Sequence, residues 1–300
     1  MMNTTASFPF PSCPTQLSDT QLEQYWEKGF IAFENALSPD EVASARQSIS
    51  DMISKYAFND ELSIYKAPTG SGSNQAGASF KSRNSNWMMT LEPGMEPSPE
   101  DPEAIESMVR KFMWFEDESP LFKSICTDHP RIQGVVKSIL GSQVDLYQSM
   151  ALIKPAHHGS EKPWHQDNAY FSVENLDQIL GTWIALDDVT VDNGAMHFLP
   201  GAHRDGPLKH EHTTDCEIVK DRYSTETAEP IHLRAGGIVF FHGNAPHFTP
   251  PNRSAHRRRA LQYHYRAVEN RLISKEEYTQ VFQEADGTPA SCAAAIPENF

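Results

Sequence analysis

The spacing of apolar positions near the start of the chain predicts two helices with a strand between them. Ser18 and Gln21 form a capping box ahead of apolar residues at helical spacing, and Gly29 is placed to end that helix. Residues 30–33 then form a short apolar run typical of a strand. A second capping box, at residues 38–41, has proline at the first helical position and starts a helix that should end near residue 55.

After Gly141 the pattern changes to short runs rich in β-branched, aromatic and aliphatic residues. These runs are residues 144–153, 182–186, 195–199, 231–233, 238–241 and 259–265. Turn signals such as Asp192-Asn193-Gly194 separate several of them. Many short strands without alternating helices predict an antiparallel sandwich or jelly roll.

The stretch between the two patterned regions, residues 66–102, is rich in glycine and proline. Its glycines favour a mobile lid over a binding site, and its Phe80, Trp87, Met88, Met89 and Leu91 are too apolar for a solvated linker. A long loop packed permanently against the helices explains the same features equally well.

Helical patterns resume around residues 103–115 and again toward residue 140, where Gly141 offers a C-cap. The simplest organisation is therefore one domain over residues 1–300. It has a helical N-terminal part (1–140) that contains the lid-like loop, a β-core (141–268) and a C-terminal tail (269–300).

Composition is that of an ordinary globular protein, with 39% hydrophobic and 22% charged residues. The chain has 25 basic and 40 acidic side chains, a net charge of −15 that disfavours nucleic acid and anionic membranes as partners. No apolar run approaches the roughly 20 residues of a membrane helix, and residues 1–14 do not resemble a secretory signal. We therefore expect a cytoplasmic protein with a small-molecule substrate; the sequence does not determine its oligomeric state.

The four cysteines lie far apart in the sequence and form no C-x-x-C pair. A disulfide framework or a thiolate zinc site usually needs tighter clustering. Reduced thiols without a role are therefore expected for Cys13, Cys126, Cys216 and Cys292.

Trp164-His165-Gln166-Asp167 is the sharpest candidate for chemistry. Residues two apart in an extended strand point to the same face, so His165 and Asp167 can present an imidazole and a carboxylate side by side. Two histidines and one carboxylate on one face of an octahedron leave three positions open, the pattern of non-haem iron(II) oxygenases. By itself a His-x-Asp pair is weak, because such pairs more often lie on a solvated loop.

A third ligand must come from a distant strand, and thirteen histidines compete for the role. His247 is favoured because it follows the apolar run 238–241 and a small turn. His242 is the nearest competitor and is interpreted as a polar residue at a strand end, whereas His264 is interpreted as a satisfied core or pocket residue. The remaining candidates, expected at the surface or the pocket rim, are His157, His158, His197, His203, His210 and His212.

Several motifs, taken in order, resemble the phytanoyl-CoA dioxygenase family. They are Lys154-Pro155, Trp164-His165-Gln166-Asp167, Trp183-Ile184-Ala185-Leu186-Asp187, Asn193-Gly194 with Pro200-Gly201-Ala202-His203, and His247 followed eleven positions later by Arg258. The resemblance spans about residues 146–265, with weaker similarity in the N-terminal helix–strand–helix. Ala202 replaces the serine of many relatives, a departure that touches no ligand.

The resemblance implies a mainly β protein with a double-stranded β-helix core, of the jelly-roll or cupin-like type, and flanking N-terminal helices. It implies an enzyme that uses iron(II), dioxygen and 2-oxoglutarate, with His165, Asp167 and His247 as the metal ligands and catalytic centre. The implied reaction couples decarboxylation of 2-oxoglutarate to oxidation of the substrate, by default hydroxylation. Asp167 argues against a halogenase, because halogenating relatives have a small residue there.

By the same resemblance, Arg258 matches the arginine that grips the distal carboxylate of 2-oxoglutarate, a role that its planar fork suits. Thr249 matches a hydroxyl that assists at the same carboxylate. Gln148 and Lys154 match polar positions near the cosubstrate in the ectoine hydroxylase branch, and Trp183 matches an aromatic residue bordering the site. For these last three, roles in sheet packing or at the surface explain the residue nearly as well.

Two other functions stay open at this point. A cupin-like metal-dependent hydrolase or isomerase could use zinc or manganese at the same three ligands, but it would not need Arg258. A non-catalytic ligand-binding protein of the same fold is the other. As for the substrate, the acidic chain favours a small or weakly charged metabolite, or a natural-product intermediate, over an acyl-CoA.

Overall fold

The computed structural model describes residues 8–67, 77–213 and 215–292. Within these ranges the helices are α1 (Asp19–Lys28), α2 (Pro39–Tyr56), α3 (Pro120–Thr127), α4 (Pro130–Leu140) and α5 (Lys275–Val281). The strands are β1 (Phe30–Phe33), β2 (Ser63–Lys66), β3 (Ser79–Ser82), β4 (Met88–Leu91), β5 (Val109–Met113), β6 (Val144–Lys154), β7 (Lys162–His165), β8 (Ile179–Ala185), β9 (His197–Phe198), β10 (His210–His212), β11 (Cys216–Ile218), β12 (Glu229–Pro230), β13 (Ile238–His242), β14 (His247–Thr249) and β15 (Arg258–Ala267).

The two predicted N-terminal helices form where the capping residues place them. Ser18 caps α1 in a complete capping box, and Gly29 ends the helix in the left-handed conformation at φ 81°. Ser38 caps α2 in the same way, with Pro39 at the first helical position. Strand β1 follows α1 directly, so the predicted helix–strand–helix is confirmed.

Two antiparallel sheets make up most of the fold. Among the described residues, nine strands form a major sheet in the order β1-β13-β8-β15-β6-β5-β4-β3-β2. A minor sheet has the order β12-β9-β14-β7, and β10 pairs with β11 in a separate hairpin. The N-terminal strands β1 to β5 are thus part of the same sheet as the strands of the β-core.

The two sheets face each other through apolar side chains. Phe198 of β9 stacks on Phe30 of β1 with ring centroids 4.7 Å apart, and lies 5.5 Å from Phe241 of β13. These rings belong to the cluster between the sheets, the inner core, whereas a larger cluster on the opposite face of the major sheet, the outer core, packs against α1 to α4. The predicted jelly-roll core with flanking helices is confirmed.

Strand β15 shows how side-chain alternation separates the two faces. Its outward side chains enter the outer core, and its inward side chains face the minor sheet. The inward residues are Arg258, Ala260, Gln262 and His264, and the outward residues are Leu261, Tyr263 and Tyr265. All seven are buried, so this strand supplies both core packing and the polar residues of an internal site.

The described part of the segment 66–102 packs into the outer core and does not cover a cavity. Phe80, Trp87, Met89 and Leu91 are at most 1% exposed and belong to the outer core. They lie on or beside the short strands β3 and β4, which extend the major sheet. The structure therefore favours the packed alternative over the lid; residues 68–76, which include two of the four glycines that suggested a lid, lie outside the described residues.

The prediction of a helix around residues 103–115 is wrong. A short 3₁₀ helix covers Pro102–Ser107, and Val109–Met113 is strand β5. Val109 and Phe112 are buried in the outer core, while Arg110, Lys111 and Met113 line a cavity on the other face. An irregularity in the pairing with β4 at Arg110 interrupts the alternation, and together with the basic residues it hid the strand pattern from sequence analysis.

The expectation of four free thiols is wrong for two of them. Cys216 and Cys292 form a disulfide across 76 residues of sequence, whereas Cys13 and Cys126 are free and buried. The backbone amide of His210 donates a hydrogen bond of 2.7 Å to the carbonyl of Ala290. This contact brings the end of the described chain beside the β10–β11 hairpin. Disulfides are uncommon in a reducing cytoplasm, so this bond counts against the cytoplasmic location expected from the sequence.

In the described ranges there is no helix that is both long enough and apolar enough to cross a bilayer.

The packing of Trp87 gives a first prediction. Its ring stacks on Tyr56 at a centroid distance of 4.2 Å and is 1% exposed, so Trp87→Ala should lower the free energy of unfolding by about 3–5 kcal/mol, as expected for a large cavity. The matched control is Trp114→Ala, at a side chain 43% exposed, where we expect a change within about 1 kcal/mol. Denaturant unfolding measures both; equal small effects would mean that the segment is not part of the core.

Candidate metal and cosubstrate site

His165, Asp167 and His247 lie together in the structure. One ligand atom from each can be chosen so that all three lie within 4.8 Å of one another, and the three side chains are buried. The register of the minor sheet creates this arrangement, because β7 pairs with β14 and places His165 opposite His247. Asp167 follows the end of β7 through an extended Gln166, which keeps it on the same side as His165.

Backbone carbonyls fix the orientation of both imidazoles. Nδ1 of His165 lies 2.8 Å from the carbonyl oxygen of Pro163, and Nδ1 of His247 lies 3.0 Å from that of Ala245. A carbonyl only accepts, so each Nδ1 carries the proton and each Nε2 presents a lone pair. This is the tautomer that a histidine needs to bind a metal through Nε2, with its other nitrogen held by the protein.

The two oxygens of Asp167 have different neighbours. Oδ1 lies 3.4 Å from Nε2 of His165 and 3.7 Å from Nε2 of His247. Oδ2 is 2.7 Å from Nε2 of His264, and it accepts a hydrogen bond from Gln262 at 3.3 Å. One oxygen is therefore left to face the two imidazoles, and the other holds the carboxylate in place.

Electrostatics keep these groups in the protonation states that a metal requires. Burial by itself would raise the pKa of Asp167, but the imidazoles of His247 and His264 outweigh it and hold the pKa well below its usual range. Burial and the neighbouring His165 lower the pKa of His247 to about 3. At neutral pH the carboxylate is thus charged and His247 is neutral.

Arg258 is buried in the same cavity without the partners that a guanidinium normally has. It is 1% exposed, and its Nε and Nη1 have no hydrogen-bond partner in the described part of the chain. Burial lowers its pKa to about 10, which leaves it charged at neutral pH, and the guanidinium carbon lies 5.1 Å from the centroid of the Trp183 ring. A buried charged fork with unused donors fits the carboxylate of a ligand.

The two neighbouring arginines have other roles. Arg257 pairs with Glu106, and Arg259 pairs with Asp187 through two hydrogen bonds of 2.8 and 2.9 Å. Arg259 on β15 and Arg257 just before it point away from the cavity, as alternation requires. Arg258 differs from both because it forms no ion pair with a carboxylate of the described residues.

The remaining predicted residues line the same cavity, whose volume is about 240 Å³. Lys154 lies beside Arg258 in the register of β6 and β15, and it donates a hydrogen bond to the carbonyl of Ser160. Burial and the neighbouring Arg258 lower the pKa of Lys154 well below its usual value. The structure thus places all eight predicted site residues in the lining of one cavity, namely Gln148, Lys154, His165, Asp167, Trp183, His247, Thr249 and Arg258.

Some of the other histidines are more buried than the sequence suggested, whereas His157 and His158 are exposed as expected. His242 is buried but turned away from the ligand cluster, with Nδ1 accepting from the Asn244 backbone at 3.0 Å and Nε2 3.3 Å from Asp177. His203 and His210, expected at the surface or rim, are 6% and 2% exposed. His210 accepts a hydrogen bond at Nε2 from the backbone of Gln166, so it supports the loop that carries Asp167.

Sequence reasoning missed the residues that hold Asp167. His264 was interpreted as a satisfied core or pocket residue, with no link to Asp167, and Gln262 was not considered. Gln262 and His264 are on the inward face of β15 with Arg258, four and six positions after it. Period-two counting from Arg258 would have placed them in the site, because the strand itself was predicted.

Comparisons with known proteins point to one family. The family model for phytanoyl-CoA dioxygenase matches residues 25–260. A curated relative, phytanoyl-CoA dioxygenase domain-containing protein 1 of Rattus norvegicus, is 27% identical over 270 residues, covering 83% of this chain and 89% of the relative.

Solved structures share the fold at low identity. EctD from S. alaskensis, a crystal structure with bound Fe, has a TM-score of 0.61 at 19% identity, covering 89% of this chain and 90% of its own. EvdO2 from Micromonospora carbonacea var. aurantiaca, a crystal structure complexed with 2-oxoglutarate, has a TM-score of 0.56 at 24% identity, covering 87% and 94%.

The assignment of the third ligand can be tested by comparing two histidines. His247→Ala should abolish tight binding of Fe(II), because it removes one of three ligand atoms, whereas His242→Ala should retain it. Anaerobic Fe(II) titration of both variants, with circular dichroism to check folding, measures this. Loss of binding in His242→Ala alone would show that the wrong histidine was chosen.

The role of His264 is to position Asp167. His264→Phe fills the space but removes the bond to Oδ2, so Fe(II) affinity should fall by about 10–100-fold. His264→Gln can still donate to the carboxylate and should recover part of that loss, which a purely structural role would not produce. The control is His256→Phe at an exposed position, which should bind Fe(II) like wild type. An equal loss of Fe(II) affinity in His264→Phe and His264→Gln would contradict the assignment.

Proposed function

This chain belongs to the phytanoyl-CoA dioxygenase family, and we propose that it is an Fe(II)- and 2-oxoglutarate-dependent dioxygenase. We infer that it uses dioxygen to oxidise, by default to hydroxylate, an unactivated C–H bond of a small-molecule metabolite or natural-product intermediate.

The observation that carries the proposal is the placement of an unpaired arginine beside three metal-binding side chains. His165, Asp167 and His247 alone fit several metals and reactions. Arg258 adds a buried positive charge with unused donors on the wall of the same cavity. A dicarboxylate such as 2-oxoglutarate can satisfy both requirements, with one end at the metal and the other at the arginine.

The residues present fit an iron(II) ion. Two imidazole nitrogens and one carboxylate oxygen would hold it on one face, which leaves three positions for ligands from solution. When bound, the ion supplies the activation of dioxygen that protein side chains cannot provide. His264 and Gln262 would keep the carboxylate of Asp167 turned toward it.

The chain's own residues bind and orient the cosubstrate. Arg258 offers a bidentate fork to the distal carboxylate, and the Trp183 ring supports the guanidinium from one side. Thr249 is two residues beyond His247 on β14 and lines the same cavity, so its hydroxyl can donate to that carboxylate. Apolar walls that include Met150 and Leu152 exclude water from the reacting groups.

The rival functions leave these features unexplained. A hydrolase using the same three ligands needs a metal-bound water but no buried cation opposite it. A binding protein without catalysis has no need for two imidazoles held in the metal-binding tautomer. The oxygenase accounts for both.

The size of the cavity supports a small substrate. Its volume of about 240 Å³ is below the roughly 300–1,000 Å³ of typical ligand pockets, and 2-oxoglutarate would occupy part of it. The substrate group that reaches the metal should therefore be compact.

Anaerobic titration with Fe(II) and then 2-oxoglutarate tests the proposal. Chelation of iron by the 2-oxo acid gives a weak visible charge-transfer band, so wild-type protein should develop it and His247→Ala should not. Complete absence of the band in folded wild-type protein would refute the oxygenase and favour the hydrolase or the binding protein.

The same band measures the role of Arg258. Arg258→Lys keeps the charge but loses the fork, and one lost charge-assisted hydrogen bond should weaken 2-oxoglutarate binding by about ten- to hundredfold. Arg257→Lys and Arg259→Lys are the matched controls and should bind 2-oxoglutarate like wild type, because their side chains face Glu106 and Asp187. Equal losses at all three positions would mean a diffuse basic patch in place of a defined clamp.

A further inference from the structure

The turn that carries the proposed metal ligand Asp167 is held by a short stretch that is far from it in sequence. Residues 290–292, which we call the clasp, belong to no helix or strand. Ala290 and Cys292 are buried, and Ser291 is half-buried. None of the three lines the cavity, so any effect of the clasp on the metal ligands must pass through the turn.

Two residues of the clasp contact the turn directly. The hydroxyl of Ser291 donates a hydrogen bond of 2.8 Å to the carbonyl of Ala169. The disulfide formed by Cys292 packs against Tyr170, whose ring lies edge-on to that of His165 with centroids 6.3 Å apart. Ala169 and Tyr170 are the third and fourth residues of the 3₁₀ turn that the metal ligand begins, so the clasp supports the end of this turn.

The remaining residue of the clasp acts through a histidine. The carbonyl of Ala290 accepts a hydrogen bond of 2.7 Å from the backbone amide of His210. The ring of His210 in turn accepts a hydrogen bond of 3.1 Å from the backbone amide of Gln166, which directly precedes Asp167. The clasp therefore fixes the backbone on both sides of the ligand, and such outer partners set the orientation of a metal ligand.

The disulfide joins the clasp to a regular element of the fold. Cys216 is the first residue of β11, and its Cα lies 6.4 Å from that of Cys292. Within the described ranges no other covalent bond connects the clasp to a distant part of the chain. Segments held only by a few hydrogen bonds open locally at a small cost in free energy. The covalent bond therefore decides how firmly the clasp, and with it the turn, is held.

We propose that the Cys216–Cys292 disulfide is a redox switch on the metal site. In the oxidised protein the clasp holds the turn, and Asp167 faces the two imidazoles. Reduction releases the clasp, so the carboxylate spends less time in the metal-binding position and Fe(II) binds more weakly. Ser291 and His210 are positioning residues in this arrangement. The switch rests on the metal site of the proposed function but not on 2-oxoglutarate or on the reaction.

A dithiol supplies the reduction by thiol–disulfide exchange. One of its thiolates attacks a sulfur of the protein disulfide and forms a mixed disulfide, and the other protein sulfur leaves as a thiolate that takes up a proton. The second thiolate of the reductant attacks the mixed disulfide, which releases the second cysteine as a thiol. Two electrons and two protons pass to the protein, and the dithiol becomes a cyclic disulfide.

The affinity for Fe(II) in the two redox states tests the switch. Full-length protein is titrated anaerobically, once oxidised and once after reduction with dithiothreitol that is then removed; mass spectrometry of alkylated peptides verifies the state of Cys216 and Cys292. The dissociation constant for Fe(II) should be about tenfold higher in the reduced protein, and reoxidation should restore it. Equal affinities would overturn the proposal, as would cysteines that stay unpaired in an oxidising glutathione buffer.

A variant without the disulfide shows whether the reductant acts there. The double variant Cys216→Ser, Cys292→Ser should bind Fe(II) like the reduced wild type, and dithiothreitol should not change its affinity. Cys13 and Cys126 are free in both proteins, so they serve as an internal control. A loss of affinity on reduction of the double variant would place the effect at another group and contradict the switch.

Hydrogen exchange in metal-free protein separates local release from general destabilisation. The amides of Ala169 and Phe171 donate within the turn to the carbonyls of Gln166 and Asn168, at 3.0 and 3.3 Å. On reduction these amides should exchange faster, whereas the amides of β15, which are paired on both sides, should not change. An unchanged turn, or faster exchange throughout the protein, would contradict the release of the clasp.

Ser291→Ala tests the contact that transmits the effect. Removal of this hydroxyl should weaken Fe(II) binding in the oxidised protein, and reduction should then lower the affinity by a smaller factor than in wild type, because one bond of the clasp is already absent. The matched control is Ser44→Ala at an exposed residue of α2, which should respond to reduction like wild type. The same factor in Ser291→Ala and wild type would show that the clasp does not carry the effect.

The switch and the proposed function can fail separately. A protein that binds no Fe(II) in either redox state would reject the metal site, and hydrogen exchange would still decide whether reduction releases the turn. Fe(II) binding with the visible charge-transfer band, but with the same affinity in both redox states, would leave the oxygenase standing and reject the switch.

Discussion

The pairing of β7 with β14 is the constraint on which the site depends. It sets His165 opposite His247 in the minor sheet, and backbone carbonyls then turn both Nε2 atoms in the same direction. Because a ladder of backbone hydrogen bonds holds these strands, the geometry needs no metal to form it. The facing strand β15 completes the site from the major sheet, where its inward residues supply a support for Asp167 and the proposed clamp for the cosubstrate.

The balance of charged groups in the cavity differs from that of the whole chain. The chain carries −15 overall, which made a weakly charged substrate the simplest expectation from sequence. The cavity lining, by contrast, holds five basic side chains and four carboxylates; these are Arg110, Lys111, Lys154, Lys162 and Arg258, and Glu92, Glu161, Asp167 and Asp215. A low local dielectric strengthens the interaction of a charged group with a ligand, so the cavity and not the surface determines which ligands bind.

The sequence predicted those features that depend on short-range rules. Capping boxes located α1 and α2, and the resemblance to the family supplied most of the eight residues that the structure brings to one cavity. What it missed depends on contacts between distant segments. The partner of Asp167 is 97 residues away, and the disulfide of Cys216 spans 76, so neither pairing has a local signature. Strand β5 was missed for another reason. Its basic Lys111 faces the cavity and interrupts the apolar pattern by which a strand is recognised.

The C-terminal segment, expected to be a tail, is tied to both ends of the site in its described part. Tyr278 of α5 donates to the carbonyl of Asn168 at 2.6 Å, and Ser291 donates to that of Ala169 at 2.8 Å, so this segment holds the 3₁₀ turn that begins with Asp167. Cys292 is joined to Cys216, whose neighbour Asp215 pairs with Lys162 in the cavity lining. The same short stretch thus fixes the proposed metal ligand Asp167 and a second carboxylate of the cavity. Residues far from the family motifs in sequence can therefore set the positions of polar groups within the site.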